Sequence, residues 1–362
     1  CNTNGVLRYS YVNDYKNLDN KKGISTNLGF GETSGKIRFS VNGEYVSENY
    51  DNNDLGVNFQ TNYFSLSGNA NYRLLKSTEK LNSFRVNVNA FVQYDNRTNY
   101  LQEQNFNVNL NFANKKNHSA GLGFNVNPFE RYNFYNARVE GRYVIFPKNY
   151  GTWMWVSSNY NNKFAFDIEP NVGFAEAKGW WYWGLNVSPR YRFNDKFTLI
   201  YRSNFYNEYQ DLGRVDQVGE DIVFAKRDNQ TLETSLEGKY SLTAKMNFGL
   251  KLRNYWSFSE NNSYHKLLEN GYVEDYVYTN NANQNLNLWN FDLSYSWWFA
   301  PGSQMSMLYR NSSAIFDNEI DKNLIYNNKR VFNNEQLNHT FSISIRYFID
   351  YNQAKNVFKS KV

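Results

Sequence analysis

Apolar and polar residues alternate with a period of two along most of the chain. In Phe106-Asn-Val108-Asn-Leu110-Asn-Phe112 the even positions are apolar and the odd ones between them are Asn. Ala120, Leu122, Phe124 and Val126 alternate in the same way with Gly121, Gly123 and Asn125, and the polar turn Asn114-Lys-Lys-Asn117 lies between the two segments. Successive side chains of a strand point to opposite faces, so the pattern predicts strands with one apolar face. The same reading groups Ile37, Phe39, Val41 and Tyr45; Phe64, Leu66, Ala70, Tyr72 and Leu74; and Val86, Val88, Ala90, Val92 and Tyr94. It predicts a strand with Ala137, Val139, Tyr143 and Ile145 on one face. Further strands carry Trp181 to Val187, Phe197 to Phe205, Leu232 to Tyr240, Met246 to Leu252, Phe291 to Phe299 and Phe341 to Tyr347. In all there are roughly sixteen segments, each about as long as a tilted membrane-spanning strand.

The connections alternate in length over the C-terminal half. A long polar loop is expected within Leu308–Gln336, long loops over Ser259–Asn285 and Glu208–Asp228, and tight turns at Ala300-Pro-Gly302, Leu242-Thr-Ala244 and Asn194-Asp-Lys196. A barrel with loops on one side of a membrane and turns on the other has this asymmetry; a soluble sandwich has no reason for it. Strand positions between Asn42 and Thr61 are not legible in the pattern.

Composition agrees. Tyr, Phe and Trp number 30, 28 and 9, Asn is abundant, and the mean hydropathy is nevertheless −0.74. Disordered chains are poor in aromatics, and a helical membrane protein would show runs of some twenty apolar residues. Rings near strand ends, at Trp153, Trp155, Trp180, Trp181, Trp183, Trp297 and Trp298, are expected to form girdles at the membrane interfaces. The net charge of +5 is scattered, which argues against nucleic-acid binding. The single cysteine, Cys1, builds neither a disulfide nor a metal site. Its position admits lipidation, but the simpler reading is a segment of a longer protein.

If apolar residues face lipid, their neighbours face the lumen. That set holds Arg38, Arg73, Arg85, Arg138, Arg142, Arg190, Arg192, Arg202, Lys239, Lys251, Arg253, Arg310 and Arg346, with Glu44, Glu140, Glu233, Glu237 and Asp292. Two readings stay open. The basic excess biases permeation toward anions or acidic sugars, or the cations pair with carboxylates and stiffen the wall, which is the simpler account.

Catalysis finds little support, and the chain is expected not to be an enzyme. His118-Ser119 and His339-Thr340 are adjacent pairs, so each points to opposite faces. His265 falls in a loop without a ligand cluster, and neither a metal site nor a cofactor motif is expected.

Several segments carry a resemblance. Asp54-Leu-Gly56, Pro301-Gly-Ser303, Asn194-Asp-Lys-Phe-Thr-Leu199, Phe224-Ala-Lys-Arg-Asp228, Thr231-Leu-Glu-Thr234 and the ending Phe341-Ser-Ile-Ser-Ile-Arg-Tyr-Phe348 resemble the C-terminal barrel of the domain-of-unknown-function family numbered 5916. The resemblance implies a large outer-membrane barrel. It also implies, in full-length members, a preceding domain similar to family-nine carbohydrate-binding modules and further strands. Neither is in this sequence, so the chain is read as the C-terminal part of a longer protein or a shortened member.

The resulting expectation is an all-β antiparallel transmembrane barrel of the bacterial outer membrane, or the C-terminal wall of a larger one. Residues 1–349 form it, and residues 350–362 form a polar periplasmic tail, with the last strand stopping within a residue or two of Ile349. Outer-membrane lipid and lipopolysaccharide surround it. Two functions follow: a channel or transporter for small polar solutes such as saccharides, or a non-conducting subunit that docks other outer-membrane or periplasmic proteins through loops or tail.

Overall fold

The computed structural model describes residues 2–13, 20–51, 60–333 and 337–351. Cys1, Asp54-Leu-Gly56 and all of the expected tail except Asp350 and Tyr351 lie outside the described residues. Sixteen strands of nine residues or more form one antiparallel sheet in which sequence neighbours pair. The first seven are β1 (Asn2–Asn13), β2 (Asn20–Glu32), β3 (Ile37–Val46), β4 (Tyr63–Arg73), β5 (Leu81–Asp95), β6 (Leu101–Asn114) and β7 (Ser119–Asn127). After two three-residue strands, β8 (Arg131–Asn133) and β9 (Val144–Phe146), follow β10 (Asn149–Ser157), β11 (Phe164–Ala175), β12 (Trp181–Arg192), β13 (Phe197–Val218), β14 (Asp221–Thr243) and β15 (Met246–Leu267). Short β16 (Val273–Asp275) precedes β17 (Gln284–Ala300), β18 (Ser303–Asp317), helix α1 (Leu324–Phe332) and β19 (Asn338–Arg346). The fold is an antiparallel transmembrane β-barrel wall, as the alternation predicts.

Its burial is inverted relative to a soluble protein. Leu122 and Phe124 are 55% and 50% exposed, while Ser65, Asn71, Asn87 and Gln93 on the opposite face are buried. Leaving a large apolar side chain in water costs about 1.5–3 kcal/mol. An apolar band that runs across β1 to β7 and β10 to β19 is therefore stable only against lipid.

The register also sorts the two ends. Tight turns join β2 to β3, β12 to β13, β14 to β15 and β17 to β18, all at one end of the sheet, and the long connections lie at the other. Three expectations need correction at the long-loop end, and the first is Ser259–Asn285, where β15 runs on to Leu267 and holds His265 in a strand. Glu208–Asp228 is not a loop: β13 and β14 continue to Val218 and Asp221 and turn at Gly219-Glu220. These strands of 22 and 23 residues, with β15 of 22, are about twice what a bilayer needs, so their tips stand clear of it. Beyond lipid the outer face has no need of apolar residues, and the period-two signal ends although the strands do not. Ala137, Val139 and Tyr143, conversely, lie in the connection between β7 and β10 rather than in a wall strand. Only Ile145 falls in a strand, the three-residue β9. Ala137 and Val144 are fully buried with Ile222, Phe224 and Leu267, so apolar spacing there reflects a small core of its own.

The last strand ends at Arg346, three residues before Ile349, although the Phe348 amide still donates to Ser303 Oγ at 3.0 Å. All nine residues of β19 are exposed.

Candidate functional site

The inner face follows from the pairing. Asn69 faces Asn89, Asn71 faces Asn87, Asn87 faces Asn109 and Asn89 faces Asn107 on β4 to β6. Their amides bond to one another: Asn87 Nδ2 donates to Asn109 Oδ1 at 2.8 Å, Asn89 to Asn107 at 2.6 Å and Asn109 to Asn107 at 2.9 Å. Asn suits a wet wall because each amide can both donate to a neighbour and accept from it.

Toward the tight-turn end this quilt carries three guanidiniums. Arg73 and Arg85 are direct cross-strand partners, and Arg38 faces Asn71, two residues from Arg73 on the same face. Arg73 donates to Asn71 Oδ1 and Arg85 Nε to Asn87 Oδ1, while Arg38 Nε reaches the Gly35 carbonyl. Among the described residues none of the three has a carboxylate partner. The strands from β13 to β18 are different. Arg202 meets Glu237 at 3.0 Å, Lys251 the same Glu237 at 3.5 Å, Arg253 Glu233 at 3.3 Å, and Arg310 Asp292 at 2.7 Å. A cavity of about 770 Å³ opens on that wall beside Arg190, Glu237, Lys239, Lys251, Asp292 and Arg310.

Of the other expected lumen residues, Arg192 donates to the Asn161 carbonyl and Arg190 lies over the Tyr160 ring. Arg346 faces Gln304 on β18. Arg138 and Arg142 are corrected: they belong to the connection between β7 and β10, where Arg138 has a φ of 54° and Arg142 Nη2 donates to the Leu267 carbonyl at 2.9 Å.

That connection, residues 128–148, reaches strands on both sides of its own. On one side residues 131–135 line a cavity of about 230 Å³ with Gln93, Gln102 and Glu103 of the inner face. On the other, the Ile145 amide donates to the Gly271 carbonyl, Arg214 Nε to the Ala137 carbonyl, and Tyr272 Oη to Glu130. The hydrogen bond to Glu130 raises the Tyr272 phenol above its ordinary pKa, and burial lowers that of Arg131. The segment therefore bridges the long-loop mouth.

The expected girdle residues divide. Trp181 and Trp183 share the apolar face with Leu185 and Val187, and Trp297 shares it with Tyr295. Trp298 has the opposite parity, and Trp180 Nε1 donates to Glu208 at 2.9 Å. Trp153 pairs with Gly123 and Trp155 with Gly121, which puts both rings on the polar face. Sorting aromatics by nearness to strand ends missed this; two glycines at i and i+2, opposite two tryptophans, were the signal.

His265 gains partners that its sequence neighbours did not show. Its Nε2 lies 2.9 Å from Ser263 Oγ and its Nδ1 3.1 Å from Asp275 Oδ1. This order suits nucleophilic catalysis on paper. The Asp275 side chain is fully exposed, however, so water competes for the carboxylate, and the trio acts as a strut between β15 and β16.

No curated protein matches the sequence. Among solved structures, the outer membrane channel DcaP of Acinetobacter baumannii is similar with 9% identity and a TM-score of 0.35, over 87% of this chain and 94% of that one. Residues 1–358 match the family described as a domain of unknown function, DUF5916, and the chain belongs to that family.

Proposed function

We propose that this chain forms the wall of an outer-membrane channel or transporter for small polar solutes. The observation that carries the reading is the trio Arg38, Arg73 and Arg85. Two like charges placed directly opposite on paired strands, with a third diagonal to them, repel one another. Without carboxylates among their described neighbours, they are tolerable only where water or permeant anions screen them, which argues for a wet interior. On β13 to β18, by contrast, Arg202, Lys251, Arg253 and Arg310 each have a carboxylate partner, so the like-charge cluster left without one among the described residues is on β3 to β5.

Planar-bilayer recording tests this. Step-like openings with a preference for chloride over potassium are expected. Converting all three residues to Gln should move the reversal potential toward cation preference and leave the openings in place. Absence of openings in either protein would sink the channel reading.

A second reading has its own observation. Residues 128–148 bridge the mouth, which favours a non-conducting subunit docking other proteins through its rim. Silent bilayers together with a stoichiometric partner after mild detergent extraction would support it. The enzyme-free character expected from the sequence is retained as part of both readings.

A further inference from the structure

Three rings lie flat on the inner wall because glycines make room for them. A Cβ at Gly121 would overlap the Trp155 indole, and one at Gly123 would overlap the Trp153 indole. A Cβ at Gly173 would overlap the Tyr182 ring, and one at Gly151 would lie 2.8 Å from the Tyr182 hydroxyl. Gly151, Trp153 and Trp155 are successive inward positions of β10, so the two indoles follow one another along that strand, and the Tyr182 hydroxyl, reaching over from β12, lies at the next position, Gly151. Inward positions repeat about every 6.8 Å along a strand, comparable with the length of one sugar ring. Tyr206 continues the path at 5.7 Å from Tyr182. A ring against the wall cannot present its edge to the lumen; it presents its face.

From this geometry we infer that the inner face of β7 and β10 to β13 is a binding track for short linear oligosaccharides. The inference rests on the channel reading above and names its solute class. A pyranose offers one face of C–H groups and a rim of hydroxyls. The C–H face suits the electron-rich face of an indole or phenol. The hydroxyl rim needs amides that donate and accept, and the asparagines beside the rings supply them: Asn111 faces Gly121, Asn125 faces Gly151 and Asn171 faces Trp153. A nucleic acid would ask for cations between the rings, where the wall has amides. An apolar solute would leave those amides unpaired, at a cost. Such a track holds each sugar weakly and at several adjacent places, as passage requires.

The test is equilibrium binding of maltohexaose, cellohexaose and hexagalacturonate to the full chain in detergent, with heat-shifted gel migration as the folding control. At least one sugar should bind wild type and Trp297→Ala equally. Trp153→Ala and Trp155→Ala should each weaken that binding about tenfold, and Trp153→Phe should restore part of it. Gly123→Ala keeps every ring but lifts Trp153 from the wall, so it should also weaken binding. The proposal is overturned if none of the three sugars binds wild type, or if folded Trp153→Ala/Trp155→Ala protein binds as wild type does. Bilayer recordings separate this from the channel reading. Ring-dependent binding in a silent barrel would sink transport and keep the site, whereas conduction without sugar binding would sink the site alone.

Discussion

Arg310 donates to both oxygens of Asp292 at 2.7 Å, yet the guanidinium is about half exposed, and pairs of that kind add little to stability. Their effect in this wall is to offset charge locally, whereas Arg38, Arg73 and Arg85 have no carboxylate partner among the described residues. His265 is a different case, because it is buried and lies at the tip of β15, clear of the bilayer. Burial first, and then nearby Lys226, hold its imidazole below the ordinary value of 6.5, against the opposing pull of Asp275. A histidine whose folded pKa is depressed binds fewer protons folded than unfolded. Its site is therefore unpenalised above about 6.5 and loses stability as pH falls below that value. Protection factors of the Val273, Glu274 and Asp275 amides, taken against the intrinsic exchange rate at each pH, should fall on acidification through this window, and His265→Asn should abolish that fall. Flat protection factors in the parent protein would show that the strut is not titrating. A fluorophosphonate should leave Ser263 unlabelled; labelling would bring the enzyme reading back.

At the scale of elements, the wall strands were legible and the rim was not. Leu122 and Asn109 announce their faces because lipid and water impose opposite demands on alternate residues. Once β13 and β14 leave the bilayer at about Glu208, both faces meet water or other loops, and the pattern has nothing left to report. The bulge at Gln210, with a φ of 54° and its amide on Asp228 Oδ1, lies where β13 crosses this boundary. The segment 128–148 misleads for the converse reason, since it buries Ala137 and Val144 against strands remote in sequence. Trp153 and Trp155 were legible as residues but not by face, because their meaning depends on glycines one strand away. The bridge over the mouth hangs on Gly271, whose φ of 85° disfavours any side chain by about 1–2 kcal/mol. A Cβ there would overlap the Tyr143 ring and come within 3.0 Å of Ile145 Cγ1. Gly271→Val should therefore release residues 128–148 without disturbing the wall. Limited proteolysis should cut the variant within that segment while the barrel keeps its heat-shifted migration. Equal resistance of variant and parent would mean that the bridge is held from elsewhere.

For the whole molecule, the inverted burial makes a demand that two neighbouring residues can test. Val41 is 46% exposed on the apolar face of β3, and Asn42 follows it on the polar face, opposite Gly29 and Ser67. Both lie near the middle of a ten-residue strand, so both sit at similar depth. An arginine facing the bilayer midplane costs about 2–4 kcal/mol, and one facing a wet lumen costs little. Val41→Arg should thus lower the folded fraction in urea titrations from lipid vesicles, with a destabilisation of about 2–4 kcal/mol. Asn42→Arg should stay close to the parent, because the inner wall already holds Arg38 on the same strand and the same face. The ordering of the two variants decides the matter more sharply than either value. A soluble sheet would tolerate Val41→Arg on its exposed side and reject Asn42→Arg on its buried one. If that order is found, the apolar band faces water, and the lumen, the arginine trio and the aromatic track lose their common premise.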